Sequence, residues 1–169
     1  MRVLQIISIV LMLALASCNE GIAPLEEGID PGFSGTITFM GEWPTDIYDT
    51  YIVLFKNALE EASDFSIINL QYVSESIPSG TTLFEYNTLL NVTLGEVEAG
   101  TYEYLAVAQL KTPELSLNRS DWVVVGVYFT GGDFVNPATL VVPQNSFLEN
   151  INITCDFNNP PPQPPKSLK

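Results

Sequence analysis

The chain contains no histidine. That absence excludes Ser-His-Asp and Cys-His nucleophilic systems together with the histidine-bearing zinc sites. Basic residues are scarce as well: six Lys and Arg stand against 20 Asp and Glu, a formal net charge of −14. Proteins bind phosphate backbones largely through Lys and Arg, so no nucleic-acid partner is expected. Anionic lipid head groups are disfavoured for the same reason, and any membrane contact is expected through a lipid and not through the protein face. The acids are spread along the chain, which predicts a solvated acidic surface. No G-x-S-x-G, P-loop or G-x-G-x-x-G stretch occurs. Nor does any apolar run reach the roughly 20 residues that a membrane span needs.

What the chain does have begins at its N-terminus, MRVLQIISIVLMLALASC. Arg2 supplies a positive start, and the apolar stretch from Val3 to Ala16 has the length of an export-signal core. No basic stop-transfer flank follows it. Leu15-Ala16-Ser17-Cys18 resembles the lipobox of bacterial lipoproteins, in which a peptidase cuts before the cysteine and the new N-terminal cysteine becomes lipidated. The resemblance implies a signal peptide over 1–17 and a Cys18 thioether to diacylglycerol, with a further acyl chain such as palmitate on the freed amine. Two or more chains anchor a protein stably, at about 0.8 kcal/mol per buried CH₂. Asn19, where enteric sorting uses aspartate to retain lipoproteins in the inner membrane, implies an outer-membrane destination.

Cleavage leaves 152 residues with five basic groups against 20 acids, a net of −15. That is one domain's worth of chain. Residues 18–32 comprise the lipidated cysteine and the acidic stretch NEGIAPLEEGIDPG, punctuated by Gly and Pro, which reads as a flexible tether. Residues 158–169, NNPPPQPPKSLK, cannot continue a sheet and read as a Pro-rich disordered tail.

Between them, 33–157 alternates with period two. In FSGTITFM, Phe33, Gly35, Ile37 and Phe39 oppose Ser34, Thr36 and Thr38; in TYIVLFK, Tyr51, Val53 and Phe55 oppose Ile52 and Leu54. Further strands are expected within 66–77, 82–94, 101–110, 122–130, 138–143 and 148–157, with turn residues between them. NALEEASD, 57–64, is the one stretch suited to a helical turn. Strand spacing of this kind predicts an all-β domain, a single antiparallel β-sandwich of seven or eight strands. Ile37, Phe39, Val53, Phe55, Tyr102, Val124, Ile151 and Ile153 are the expected core contributors. Cys155 alternates in step with Ile151, Ile153 and Phe157, which places it among buried apolar groups and not among reactive thiols.

Three stretches taken in order, SGTITFMGEWP, GEVEAGTYEYLAVAQ and PATLVVPQNSFLENINITCDF, resemble the opening strand, the turn-and-strand and the closing hairpin of transthyretin-like (prealbumin-like) sandwiches. That group includes the carboxypeptidase regulatory-like domains of bacterial surface proteins. Ala99 stands where the family often has proline. The resemblance implies a module that spaces, stabilises or binds, and it carries over no catalytic residue.

Carboxylates remain as candidates for chemistry: Asp46 and Asp49 about Tyr48, then Glu60, Glu61 and Asp64, then Asp121 and Asp133. Glycoside cleavage needs two acids across a sugar-sized cleft, and calcium needs six to eight oxygens. No EF-hand or nonapeptide spacing is present. Neither a metal nor another cofactor is expected, and no enzymatic activity. Aromatics are the other candidates. Tyr51, Trp122 and Tyr128 alternate as core residues, whereas Trp43 and Tyr48 lie in the turn GEWPTDIYD and are the candidate ligand-binding pair. The expectation is therefore a lipid-anchored envelope protein with a structural or adhesive module that engages protein, or alternatively one that captures glycans.

Overall fold

The structure, a computed structural model, describes residues 28–166. The expected signal peptide, Cys18 and most of the expected tether lie outside the described residues. Ten strands run in chain order: β1 (Gly32–Met40), β2 (Asp49–Phe55), β3 (Leu70–Val73), β4 (Leu83–Asn87), β5 (Gly100–Tyr102), β6 (Tyr104–Leu110), β7 (Trp122–Val127), β8 (Leu140–Val142), β9 (Phe147–Leu148) and β10 (Ile153–Asp156). Two single 3₁₀ turns, Ala62–Asp64 and Arg119–Asp121, are the helical elements among the described residues. The described residues are thus nearly all-β.

The main sheet has the order β3-β2-β6-β7-β10-β1-β4, with β9 joined to the start of β1, and β5 pairs β8 in a separate two-stranded sheet. The sheet is mixed and not purely antiparallel. β1 lies parallel to β10, with Ile37 opposite Ile153 and Phe39 opposite Cys155, and parallel to β9 through Gly32 and Phe33. Period-two alternation reads alike in either orientation, so it carries no signal for strand direction. Parallel neighbours need a long crossover, and here more than a hundred residues intervene between Met40 and Phe147.

Side chains fill two layers, one on each face of the sheet. Ile52 and Leu54 of β2 join Ile37, Phe39, Leu105, Val107, Ile153 and Cys155 in the first, which the β5–β8 pair closes with Tyr102, Leu140 and Val142. Val53 and Phe55 point the other way, into a second layer with Tyr104, Ala106, Ala108, Trp122 and Val124. Every residue of β6 is buried. A central strand covered on both faces has no solvent side to mark with polar residues, hence the unbroken YLAVAQL. All eight expected core contributors are buried, divided between the two layers.

The stretch expected to be one strand over 101–110 breaks at Glu103. Its amide bonds to Lys56 O and its carboxylate accepts from the Ala58 amide. The break re-aims the chain, so Tyr102 and Tyr104, two residues apart, enter opposite layers. The Pro-rich segment also differs from a free tail as far as residue 166. Gln163 offers its side-chain amide as a surrogate peptide to Val124: Nε2 donates to Val124 O at 2.7 Å and Oε1 accepts from Val124 N at 2.9 Å. That satisfies part of β7 at the stretch where β10 no longer pairs with it.

Candidate functional site

Strand register places the loops at two ends. Gly28–Gly32 enters at one end, together with the β2–β3, β4–β5 and β7–β8 loops; the β1–β2 loop carrying Trp43 and Tyr48 and the β6–β7 loop occupy the other. Trp43 and Tyr48 have separate environments. Trp43 folds back on the core, its ring centroid 4.7 Å from that of Phe39 and 5.0 Å from that of Phe157, with Nε1 donating to Thr81 O at 3.0 Å. Its apolar body and its one donor are both engaged. Tyr48 is 62% exposed and anchored by its backbone alone, through N–H to Leu110 O. Trp122 is buried, with Tyr51 packed beside it at 5.9 Å, while Tyr128 packs at the margin of the first layer.

The acids act as local acceptors. Asp64 takes the amides of Glu60 and Glu61 at 3.0 and 2.7 Å. Asp121 accepts from Ser116 Oγ at 2.5 Å and from Asn118, bonds that hold its carboxyl below the usual carboxylate range. Asp133 accepts from the Asn136 backbone and side chain and from the Val135 amide, with the same effect. Asp49 receives Ser76 Oγ at 2.6 Å, and Asp46 lies 3.4 Å from Lys111 Nζ. No group of three acids or cysteines placed to hold a metal ion occurs among the described residues.

Sequence reasoning passed over Arg119, a buried basic residue. It is 6% exposed; Nη1 donates to Trp122 O at 2.7 Å and Nη2 to Pro164 O at 3.0 Å, while Nε has no partner among the described residues. Tyr104, whose hydroxyl is also unpaired, lies in the same wall. Burial lowers the guanidinium pKa and pushes the Tyr104 phenol up. Around them Val53, Phe55, Trp122 and Val124 line an apolar cavity of about 40 Å³. A benzene-sized molecule occupies a cavity of about 150 Å³, so a sugar ring does not fit this one. The available signal was that a basic residue is rare in this chain and that this one stands three residues before the first residue of β7.

Cys155 is a free thiol at 0% exposure, its pKa pushed up by burial, as expected of an inert core group. Among the described residues no helix is long and apolar enough to cross a membrane. Compared with protein-family models, curated proteins and solved structures, the chain finds no match.

Proposed function

We propose that this is a lipid-anchored protein of a bacterial cell envelope, carried on Cys18 and sorted to the outer membrane, whose domain is a non-enzymatic structural or adhesive module. The observation that carries the reading is Leu-Ala-Ser-Cys at the end of a short apolar run with a basic start. Within the all-β class we read the fold as a transthyretin-like sandwich. The two-stranded β5–β8 sheet closing one side of the main sheet favours it, with Gly100-Thr101-Tyr102 entering β5 as the resemblance implies.

Replacing Cys18 with serine tests the anchor. The variant should appear in the soluble fraction or accumulate unprocessed. A Cys18→Ser chain still held by membranes after a carbonate wash would sink the anchor reading. Glycan capture is the second reading, and the exposure of Tyr48 is what favours it. Saturable binding on a glycan array that is lost on Tyr48→Ala would replace the structural reading with that one.

A further inference from the structure

Residues 160–165 read PPPQPP, a run whose only backbone N–H belongs to Gln163. Such a run cannot join a sheet as a strand, because proline has no donor for the ladder. It lies seated across β7 all the same. The Gln163 carboxamide bonds to both backbone groups of Val124, and the Pro164 carbonyl accepts from Arg119 Nη2. Pro164 is buried, in the wall of the cavity that Tyr104 and Trp122 also line. Pro161 and Pro162 line the adjoining hollow with Tyr104, Val127 and Phe129. Proline rings set against aromatic side chains are the general mode by which polyproline segments are recognised.

These contacts define what the groove selects. A side chain that both donates to Val124 O and accepts from Val124 N is a carboxamide, since glutamate only accepts and lysine only donates. Arg119 engages the carbonyl of the next residue through a charge-assisted bond. The flanking prolines hold the extended form in advance, so seating orders little chain. The groove is thus matched to Pro-Gln-Pro and not to proline alone.

The seated run is separable from the sheet. The Asn159 amide bonds to Asp156 O and the Asn158 amide to Asp156 Oδ1, so the turn after β10 closes on itself before the run begins. Among the described residues the run enters no strand pair, and it can lift without opening the ladder. Beneath it the cavity of about 40 Å³ stays unfilled, and Arg119 Nε and the Tyr104 hydroxyl have no partner among the described residues. Orphaned buried donors weaken the closure that buries them.

We propose that the groove across β7 recognises proline-rich segments of the Pro-Gln-Pro kind, that residues 160–165 fill it in cis, and that such a segment on another polypeptide replaces them. The inference goes beyond the proposed function and is independent of the Cys18 anchor. Only residues 157–159 join the run to β10. The run is therefore a competitor at high effective concentration, and a partner binds weakly until it is displaced.

The test uses the full chain and a fluorescein-labelled peptide of residues 158–169, NNPPPQPPKSLK, followed by anisotropy. Gln163→Glu in the chain keeps the shape of the side chain but loses the bond to Val124 O, which frees the groove for the peptide. This variant should bind the peptide saturably and roughly tenfold or more tightly than the unsubstituted chain does, and a peptide with Glu in place of Gln163 should bind it roughly tenfold more weakly. No saturable binding to a Gln163→Glu chain that keeps the native circular dichroism overturns the proposal. Equal binding of the two peptides overturns it as well, since proline alone is then what adheres. If Gln163→Glu unfolds the domain, hydrogen exchange on the unsubstituted chain decides. The Val124 amide, held by Gln163, should exchange roughly tenfold or more faster than that of Val107 in the central strand, and excess native peptide, unlike the Glu peptide, should slow it. One rate for both amides, or a Val124 rate that the native peptide leaves unchanged, means that the run leaves only when the domain unfolds, and the proposal fails.

Discussion

Replacing Gly35 with alanine should destabilise the domain far more than the loss of a glycine ordinarily does. Gly35 lies in β1 where the strand passes from its parallel neighbour β9 to its parallel neighbour β10, and the segment joining those two crosses directly over it. A Cβ at this position would lie 2.0 Å from Ile151 O and 2.5 Å from Ile151 C. Both are backbone atoms, so the clash cannot be relieved by a rotamer change. The segment must retreat by about an ångström, and Ile151 is tied on every side. Its N–H donates to Ser34 O at 3.0 Å, its carbonyl accepts the Tyr86 hydroxyl at 2.6 Å, and its side chain is part of the first core layer.

The magnitude follows from what the retreat disturbs. Leaving a buried hydroxyl or carbonyl unpaired costs about 1–3 kcal/mol, and a core side chain forced out of register costs about 1–3 kcal/mol more. Together these give roughly 3–5 kcal/mol, or a fall in Tm of about 6–20 °C for a domain of this size. Gly131→Ala is the control. Its φ of +66° imposes the left-handed strain, but no atom lies within 4 Å of the added carbon, so about 1–2 kcal/mol is expected. Urea unfolding of both variants measures the difference. Gly35→Ala within about 1 kcal/mol of Gly131→Ala would refute the crowding argument. Tyr86→Phe supplies an internal check, since it should cost less in the Gly35→Ala background, where its bond to Ile151 is already disturbed.

Truncating Ile153, 2% exposed and opposite Ile37, to alanine should cost about 2–5 kcal/mol in the same assay, and a value near zero would mean that the β1–β10 contact is not a core contact. Alkaline pH should unfold the chain, because burial raises the pKa of Cys155, Tyr72, Tyr86 and Tyr104 in the folded state. Their stabilisation is complete below the unfolded values of about 8.5 and 10 and is lost as pH rises beyond them, by about 1.4 kcal/mol per unit for each group. Circular dichroism unchanged between pH 8 and 11.5 would contradict this.

Strand positions and buried faces were legible because alternation is a local property. Ile37 and Phe39, or Val53 and Phe55, declare their face within a few residues. The partner of a strand is not local: that β1 lies beside β10 depends on a crossover spanning most of the chain, and nothing in FSGTITFM encodes it. A single side-chain bond also escaped the pattern. Glu103 ends one strand and starts another, reversing the face of Tyr104 relative to Tyr102, while its own type is ordinary for a turn. Trp43 read as a loop aromatic because of its neighbours Gly41, Pro44 and Asp46. Its tilted ring contact with Phe157 joins residues more than a hundred positions apart. Gln163 looked like one polar residue among prolines, and only an open stretch of β7 gives it a role.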